Sequence, residues 1–163
     1  WWQYYPLDNT VIREFNLILL GSQYVNRVTQ EIIRDLPVEI GSNRLKMNGR
    51  VYPGDVSLAM LYPNPLNPKK MIALFGGTSP DSELLSLYFL PIYSGSGTPD
   101  YIIFNHDVLK YAWGGVQAAG FFNHDWDFEN WTEETVTGKF YLDSSNIMLL
   151  PSMFWSKFTL IKY

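Results

Sequence analysis

Phe15-Asn16-Leu17-Ile18-Leu19-Leu20-Gly21 is a short apolar run closed by glycine. Such runs suit a strand buried on both faces, as in a parallel sheet. Apolar residues then recur at Val25, Val28, Ile32, Ile33 and Leu36, with Arg27, Gln30, Glu31, Arg34 and Asp35 between them. That spacing predicts an amphipathic helix from about Asn26 to Leu36, stopped by Pro37. Strand, loop and helix make the opening half of a βαβ unit.

The stretch from Pro37 to Pro53 has a different rhythm. Val38-Glu39-Ile40, Leu45-Lys46-Met47 and Arg50-Val51-Tyr52 read as small inserted antiparallel strands, with Asn48-Gly49 as a two-residue hairpin turn. Ser57–Tyr62 and Met71–Phe75 are two further buried runs. The prolines at 63, 65 and 68 between them predict a rigid loop joining parallel strands. Gly76-Gly77-Thr78 turns the chain. Ser79 as N-cap, Pro80 at the first helical position, and Asp81 and Glu83 in the first turn then open a helix. Its apolar stripe is Leu84, Leu87, Tyr88 and Ile92. After a Gly/Ser loop, Tyr101-Ile102-Ile103-Phe104 is a fourth buried strand. Val116 to Phe122 suits an edge strand, and Lys139–Leu142 and Phe158–Ile161 look like late strands.

These elements predict a three-layer αβα sandwich around a small, mostly parallel, Rossmann- or flavodoxin-like sheet, with an inserted β-hairpin and C-terminal strands. Three regions are expected: an aromatic arm over 1–13, an αβα domain over 14–128, and a β extension over 129–163 packed on the same domain. At 163 residues, 47% hydrophobic and 17% charged, the chain is sized and composed for one folded unit. A net charge of −4 argues against a nucleic-acid partner. The absence of cysteine excludes a disulfide scaffold, a thiolate metal site and a Cys nucleophile. No apolar stretch approaches the roughly 20 residues that cross a bilayer. The chain opens on Trp1-Trp2-Gln3-Tyr4-Tyr5 without an initiator methionine, so it is expected to be processed or cut from something larger.

The order of Asn16–Gly21, Asn26, Leu36-Pro37, Asn48–Gly54, Tyr62–Lys70, Pro99-Asp100-Tyr101, Ala118–Phe122 and Trp126 resembles one family. It is similar to the C-terminal region of large secreted bacterial hydrolases, of the prolyl-oligopeptidase or polyester-depolymerase-like esterase type. The Pro63-Asn64-Pro65-Leu66-Asn67-Pro68-Lys69 stretch is its most specific piece. The resemblance implies an αβα accessory module, secreted or periplasmic, that follows a catalytic α/β-hydrolase domain and has no assigned chemistry of its own.

The residues themselves leave several sites to test. No Gly-x-Ser-x-Gly elbow is present, so a serine hydrolase site lacks its usual turn. Ser22, Gly76, Gly77, Thr78, Ser79, Asn105 and His106 are expected near the carboxyl ends of the strands, where open α/β sheets hold ligands. The competing reading makes the glycines tight turns and Ser79 a cap. The repeated Asn-His-Asp tripeptide offers His106, Asp107, His124 and Asp125 as metal ligands, or else as turn residues. Trp1, Trp2, Tyr4, Tyr5, Trp126 and Trp131 are candidates for an interface with a neighbouring domain. Trp113, Trp126, Trp131, Trp155, Tyr111 and Tyr141 are alternatively a carbohydrate-stacking surface or core filling. No cofactor is expected. The reading as a whole is a non-catalytic accessory domain; its alternatives are a small ligand- or metal-binding module and a carbohydrate or cell-surface binder.

Overall fold

The computed structural model describes residues 9–89 and 99–128. Trp1, Trp2, Tyr4, Tyr5, Ile92, Trp131 and the expected late strands lie outside the described residues. In chain order the elements are α1 (Asn9–Glu14), β1 (Leu17–Leu20), α2 (Arg27–Ile32) with a 3-10 turn over Ile33–Asp35, β2 (Val38–Gly41), β3 (Arg44–Met47) and β4 (Arg50–Pro53). β5 (Ser57–Asn64), β6 (Asn67–Gly77), α3 (Pro80–Ser86), β7 (Tyr101–Phe104), α4 (Val108–Tyr111) and β8 (Val116–Gly120) follow.

Among the described residues the main sheet has five strands in the order β1-β6-β5-β7-β8, and β2-β3-β4 form a second sheet. Among the described residues only β1 and β6 pair in parallel, with Leu17 opposite Ile72 and Leu20 opposite Phe75. The pairings β5–β6, β5–β7 and β7–β8 are antiparallel. The expectation of a mostly parallel, Rossmann-like sheet is therefore corrected to a mixed one. The cause is the proline-rich stretch. Pro63 lies within β5 and Pro68 within β6, so the segment is a long hairpin and not a crossover loop. Register slips between Pro63 and Asn64, which accommodates the residue that has no amide to donate.

The small sheet forms as expected. Asn48 and Gly49 both take positive φ, 49° and 71°, which a two-residue turn of this kind requires. The α2 helix also matches its prediction: Asn26 Oδ1 accepts from the amides of Val28 and Thr29 at 2.9 and 3.2 Å.

Register divides the main sheet into two faces. On one, Leu19, Leu58, Met60, Ile72, Leu74 and Ile103 pack with Ile12, Val28, Ile32 and the inner residues of the small sheet, Val38, Ile40, Leu45 and Met47. A second sheet thus covers ground that a helix layer was expected to cover. On the other face Ala59, Phe75, Ile102 and Phe104 meet Leu85 of α3 and Val108 of α4. Each large aliphatic side chain buried this way contributes about 1.5–3 kcal/mol. β1 departs from the expectation of burial on both faces: Ile18 and Leu20 point to the α3 side and are 67% and 50% exposed.

Candidate functional site

β7 is antiparallel to β5, and β5 to β6, so β1, β6 and β7 run in one direction. Their carboxyl ends share one edge of the sheet. Ser22, Gly76 to Ser79, and Asn105 with His106 therefore converge there as the sequence predicted. Asp55, at the entry to β5, stands between them.

Each group on this edge has a partner within the fold. Ser22 is buried, and both its amide and its hydroxyl donate to Glu83 Oε1, the amide at 3.2 Å. Thr78 Oγ1 donates to the Gly54 carbonyl at 3.0 Å and accepts from the Val56 amide at 2.9 Å. Ser57 Oγ donates to the Ser82 carbonyl at 2.7 Å, tying β5 to α3. Ser79 Oγ accepts from the Ser82 amide at 3.1 Å, while Ser82 Oγ accepts from the Ser79 amide at 2.9 Å, a reciprocal capping box. The Ser79 hydroxyl donates to Asp55 Oδ1. His106 Nδ1 lies 3.6 Å from Asp55 Oδ2, and its side chain is 49% exposed. That separation suits an ion pair when the imidazole is protonated and is longer than a hydrogen bond.

The glycines serve close packing. A Cβ on Gly77 would lie 2.4 Å from the Glu83 amide nitrogen and from the Ser82 carbonyl carbon, so glycine lets α3 seat on β6. A Cβ on Gly76 would face the other way, 3.4 Å from Ile40 Cδ1 of the small sheet. Neither glycine has positive φ.

Serine hydrolysis by a triad needs the imidazole between hydroxyl and carboxylate, so that it can take the hydroxyl proton. Here the carboxylate is in the middle. The Ser79 oxygen is committed to a cap on one side and to Asp55 on the other. A phosphate at this edge would meet the carboxylates of Glu83 and Asp55, and Glu83 already takes the Ser22 amide. Asp55 and Glu83 are the two members that sequence reasoning did not place in the site. Glu83 carried a signal only as a first-turn acid, and Asp55 carried none.

The two Asn-His-Asp tripeptides do not meet. β8 runs against β7 with Gly120 opposite Tyr101, so His124 follows β8 at the opposite end of the sheet from His106. In both tripeptides the Asn side chain caps a turn: Asn105 Oδ1 accepts from the Asp107 amide at 3.0 Å, and Asn123 Oδ1 from the Asp125 amide at 2.9 Å. Among the described residues no group of three or more His, Cys, Asp or Glu is placed to hold a metal ion.

Trp126, half-buried and at φ 64°, belongs to a cluster with Tyr62, Tyr101, Phe122 and Phe128. Tyr62 meets Phe122 edge-on at 5.1 Å and Trp126 edge-on at 5.9 Å. Interlocked edges of this kind fill a core and present no flat stacking surface. Burial raises the Tyr62 phenol above its ordinary pKa, with Asp127 adding to the effect. Burial likewise raises Tyr101, reinforced by Tyr52 and opposed by Arg50. An open depression of about 350 Å³ lies between the end of the 3-10 turn and the β2–β3 hairpin, lined by residues including Leu36, Val38 and Met47 and by none of the candidates above. Among the described residues no helix is long and apolar enough to cross a membrane.

Compared with known proteins, the chain matches no family model, no curated protein and no solved structure.

Proposed function

We propose that this chain is a non-catalytic accessory domain of a larger secreted or periplasmic hydrolase, held by contact with the catalytic domain or another protein partner. The observation that carries the reading is the Ser79 hydroxyl, which caps α3 and donates to Asp55 instead of facing His106. Polar groups at the edge where open sheets do their chemistry are spent on holding the edge together. The outer sides of the two helices supply the contact surface. α3 turns Leu85 inward yet carries Leu84 exposed, with Tyr88 exposed in the 3-10 turn Leu87–Phe89 that follows it, and α4 turns Val108 inward yet carries Leu109 and Tyr111 exposed. Helices apolar on both sides are built to be covered on both sides. The resemblance to the C-terminal region of secreted esterases and prolyl oligopeptidases points to a hydrolase neighbour.

The test is turnover of p-nitrophenyl esters and of chromogenic peptides by the purified chain, beside the His106→Ala and Ser79→Ala variants. The expected result is no rate above buffer for any of the three. A rate that disappears with His106→Ala would replace this reading with the hydrolytic ligand-binding module.

A further inference from the structure

Apart from the outer sides of α3 and α4, one sheet edge differs from the others. Among the described residues four strands lie at sheet edges, and three of them are protected. β2 carries Glu39, β4 carries Arg50 and Pro53, and β8 slips register against β7 between Ile103 and Phe104. β1 has no charge, no proline and an unbroken register. Exposed apolar side chains gather at the same place. Of the eleven large ones among the described residues, five fall within residues 15–25: Phe15, Ile18, Leu20, Tyr24 and Val25. The backbone of β1 is committed on one side only. The Gly21 amide donates to the Phe75 carbonyl at 2.7 Å. The alternation of a parallel ladder then turns the backbone of Leu17 and Leu19 toward β6 and that of Ile18 and Leu20 outward. Asn26 Nδ2 already donates to the Leu20 carbonyl at 3.0 Å. Ile18 is therefore the residue of β1 that offers both an amide and a carbonyl to the open side.

We infer that β1 pairs with β1 of a second copy of this chain, antiparallel and across a twofold axis at Ile18. A hydrogen-bonded antiparallel pair joins two residues that each give an amide and a carbonyl, and a twofold axis makes one such residue its own partner. The Ile18 amide donates to the Ile18 carbonyl of the second copy and the same bond returns. The Leu20 amide then faces the Asn16 carbonyl of the second copy, and the two main sheets join into one. The side chains select the same occupant. Ile18 meets its counterpart on the α3 side. Antiparallel pairing lays the beginning of one β1 beside the end of the other, so Phe15 of each copy approaches Tyr24 and Val25 of its mate. Exposed Glu14 likewise approaches exposed Arg27, which follows the Asn26 whose side chain reaches the open edge. Arg13 does not compete for Glu14, because its guanidinium turns to the Leu66 carbonyl. The area is sufficient. The five apolar residues, 50% to 68% exposed, offer about 600 Å² per chain, and two chains together reach the total at which stable specific interfaces begin.

Sedimentation of the full chain over a dilution series, beside the Ile18→Lys variant, tests the pairing. The native chain is expected to pass from monomer to dimer as concentration rises. Ile18→Lys is expected to raise the dissociation constant at least about thirtyfold, because the twofold axis sets the two lysines directly opposite each other. A monomer at every concentration, an assembly larger than two, or a dimer as tight in Ile18→Lys as in the native chain would each overturn the inference. The chain has no native cysteine, so single-cysteine variants report without background. Paired Ile18 Cα atoms lie about 5.5 Å apart, within disulfide reach. Oxidation is expected to link Ile18→Cys into covalent dimers at roughly tenfold the yield of Val51→Cys on β4 and Leu84→Cys on α3, both at exposed positions. Equal yields at the three positions overturn the inference, and so does a higher yield at Leu84→Cys, which would place the contact on the helices.

Discussion

Gly77→Ala separates a packing role for the Gly76-Gly77 pair from a ligand-binding one. An alanine Cβ at position 77 would lie 2.4 Å from two backbone atoms of α3, the Glu83 nitrogen and the Ser82 carbonyl carbon. Ordinary van der Waals contact begins near 3.4 Å, so α3 must retreat from β6 by about 1 Å. Backbone cannot rotate out of the way as a side-chain tip can. A gap of that size forfeits a quarter to a half of each dispersion contact beneath the helix, and the contacts at stake include Leu85 on Phe75. The Ser57 hydroxyl bond to the Ser82 carbonyl and the Ser22 bonds to Glu83 stretch with it. Overpacking of this kind costs about 1–3 kcal/mol, and the strained hydrogen bonds bring the expected loss to about 3 kcal/mol. Gly76→Ala is the internal control. Its Cβ meets a flexible Ile40 methyl at 3.4 Å, so the expected loss is under about 1 kcal/mol. Urea denaturation of the full chain, followed by tryptophan fluorescence, reads both. A Gly77→Ala midpoint equal to that of the native chain would refute the packing argument. It would be doubly damaging if the same substitution altered binding of a nucleotide or inorganic phosphate.

Two further predictions concern the other end of the sheet. Asn64 is buried, donates to the Ile12 carbonyl at 2.7 Å and accepts from the Leu66 amide at 3.0 Å, so it ties α1 to the β5–β6 turn. Asn64→Ala strands both partners and is expected to cost about 2–3 kcal/mol in the same urea assay, whereas a loss below about 0.5 kcal/mol would show that the tie is dispensable. Asp100 accepts from the Phe122 amide, but burial outweighs that bond and raises its carboxyl above the usual 3.8. The folded chain therefore holds this proton more tightly than the unfolded one. Its stability contribution is present below pH 3.8 and is lost as pH rises through the folded-state value. Asp100→Asn keeps an acceptor and removes the charge, so its stability relative to the native chain is expected to rise with pH above 3.8. A difference that falls with pH would reverse the assignment of burial as the dominant cause.

Legibility in the sequence followed the range of the signal. Asn26, Asn48-Gly49 and Ser79-Pro80 act on amides or φ angles within three residues, and the structure holds all of them where the sequence placed them. Strand direction is a long-range property, and there the reading of 57–75 went astray because buried apolar runs look alike in parallel and antiparallel sheets. Only eight residues separate Tyr62 from Met71, and a parallel crossover takes a dozen or more. The convergence of Ser22, Ser79 and His106 was legible, because β1, β6 and β7 keep one direction even though β5 runs against them. The roles of Asp55 and Glu83 were not. Asp55 acquires its meaning only when β5 inserts between β6 and β7 and brings it under Ser79 and His106.

That insertion also gives the proposed non-catalytic role of this edge its physical basis. In an all-parallel sheet the loops at the carboxyl edge are strand exits, and their amides point into open space where a ligand sits. β5 enters the sheet at this edge instead of leaving it, carrying Asp55 and the Gly54 and Val56 backbone groups with it. Thr78 bonds to both backbone groups and Ser79 to the carboxylate, so the reversed strand satisfies donors that a substrate would otherwise meet. Freeing those donors means breaking the contacts that hold β5 between its neighbours. An edge whose polar groups hold the central strand in place cannot exchange them for a ligand without loosening the sheet, which is the physical basis of the accessory role proposed above.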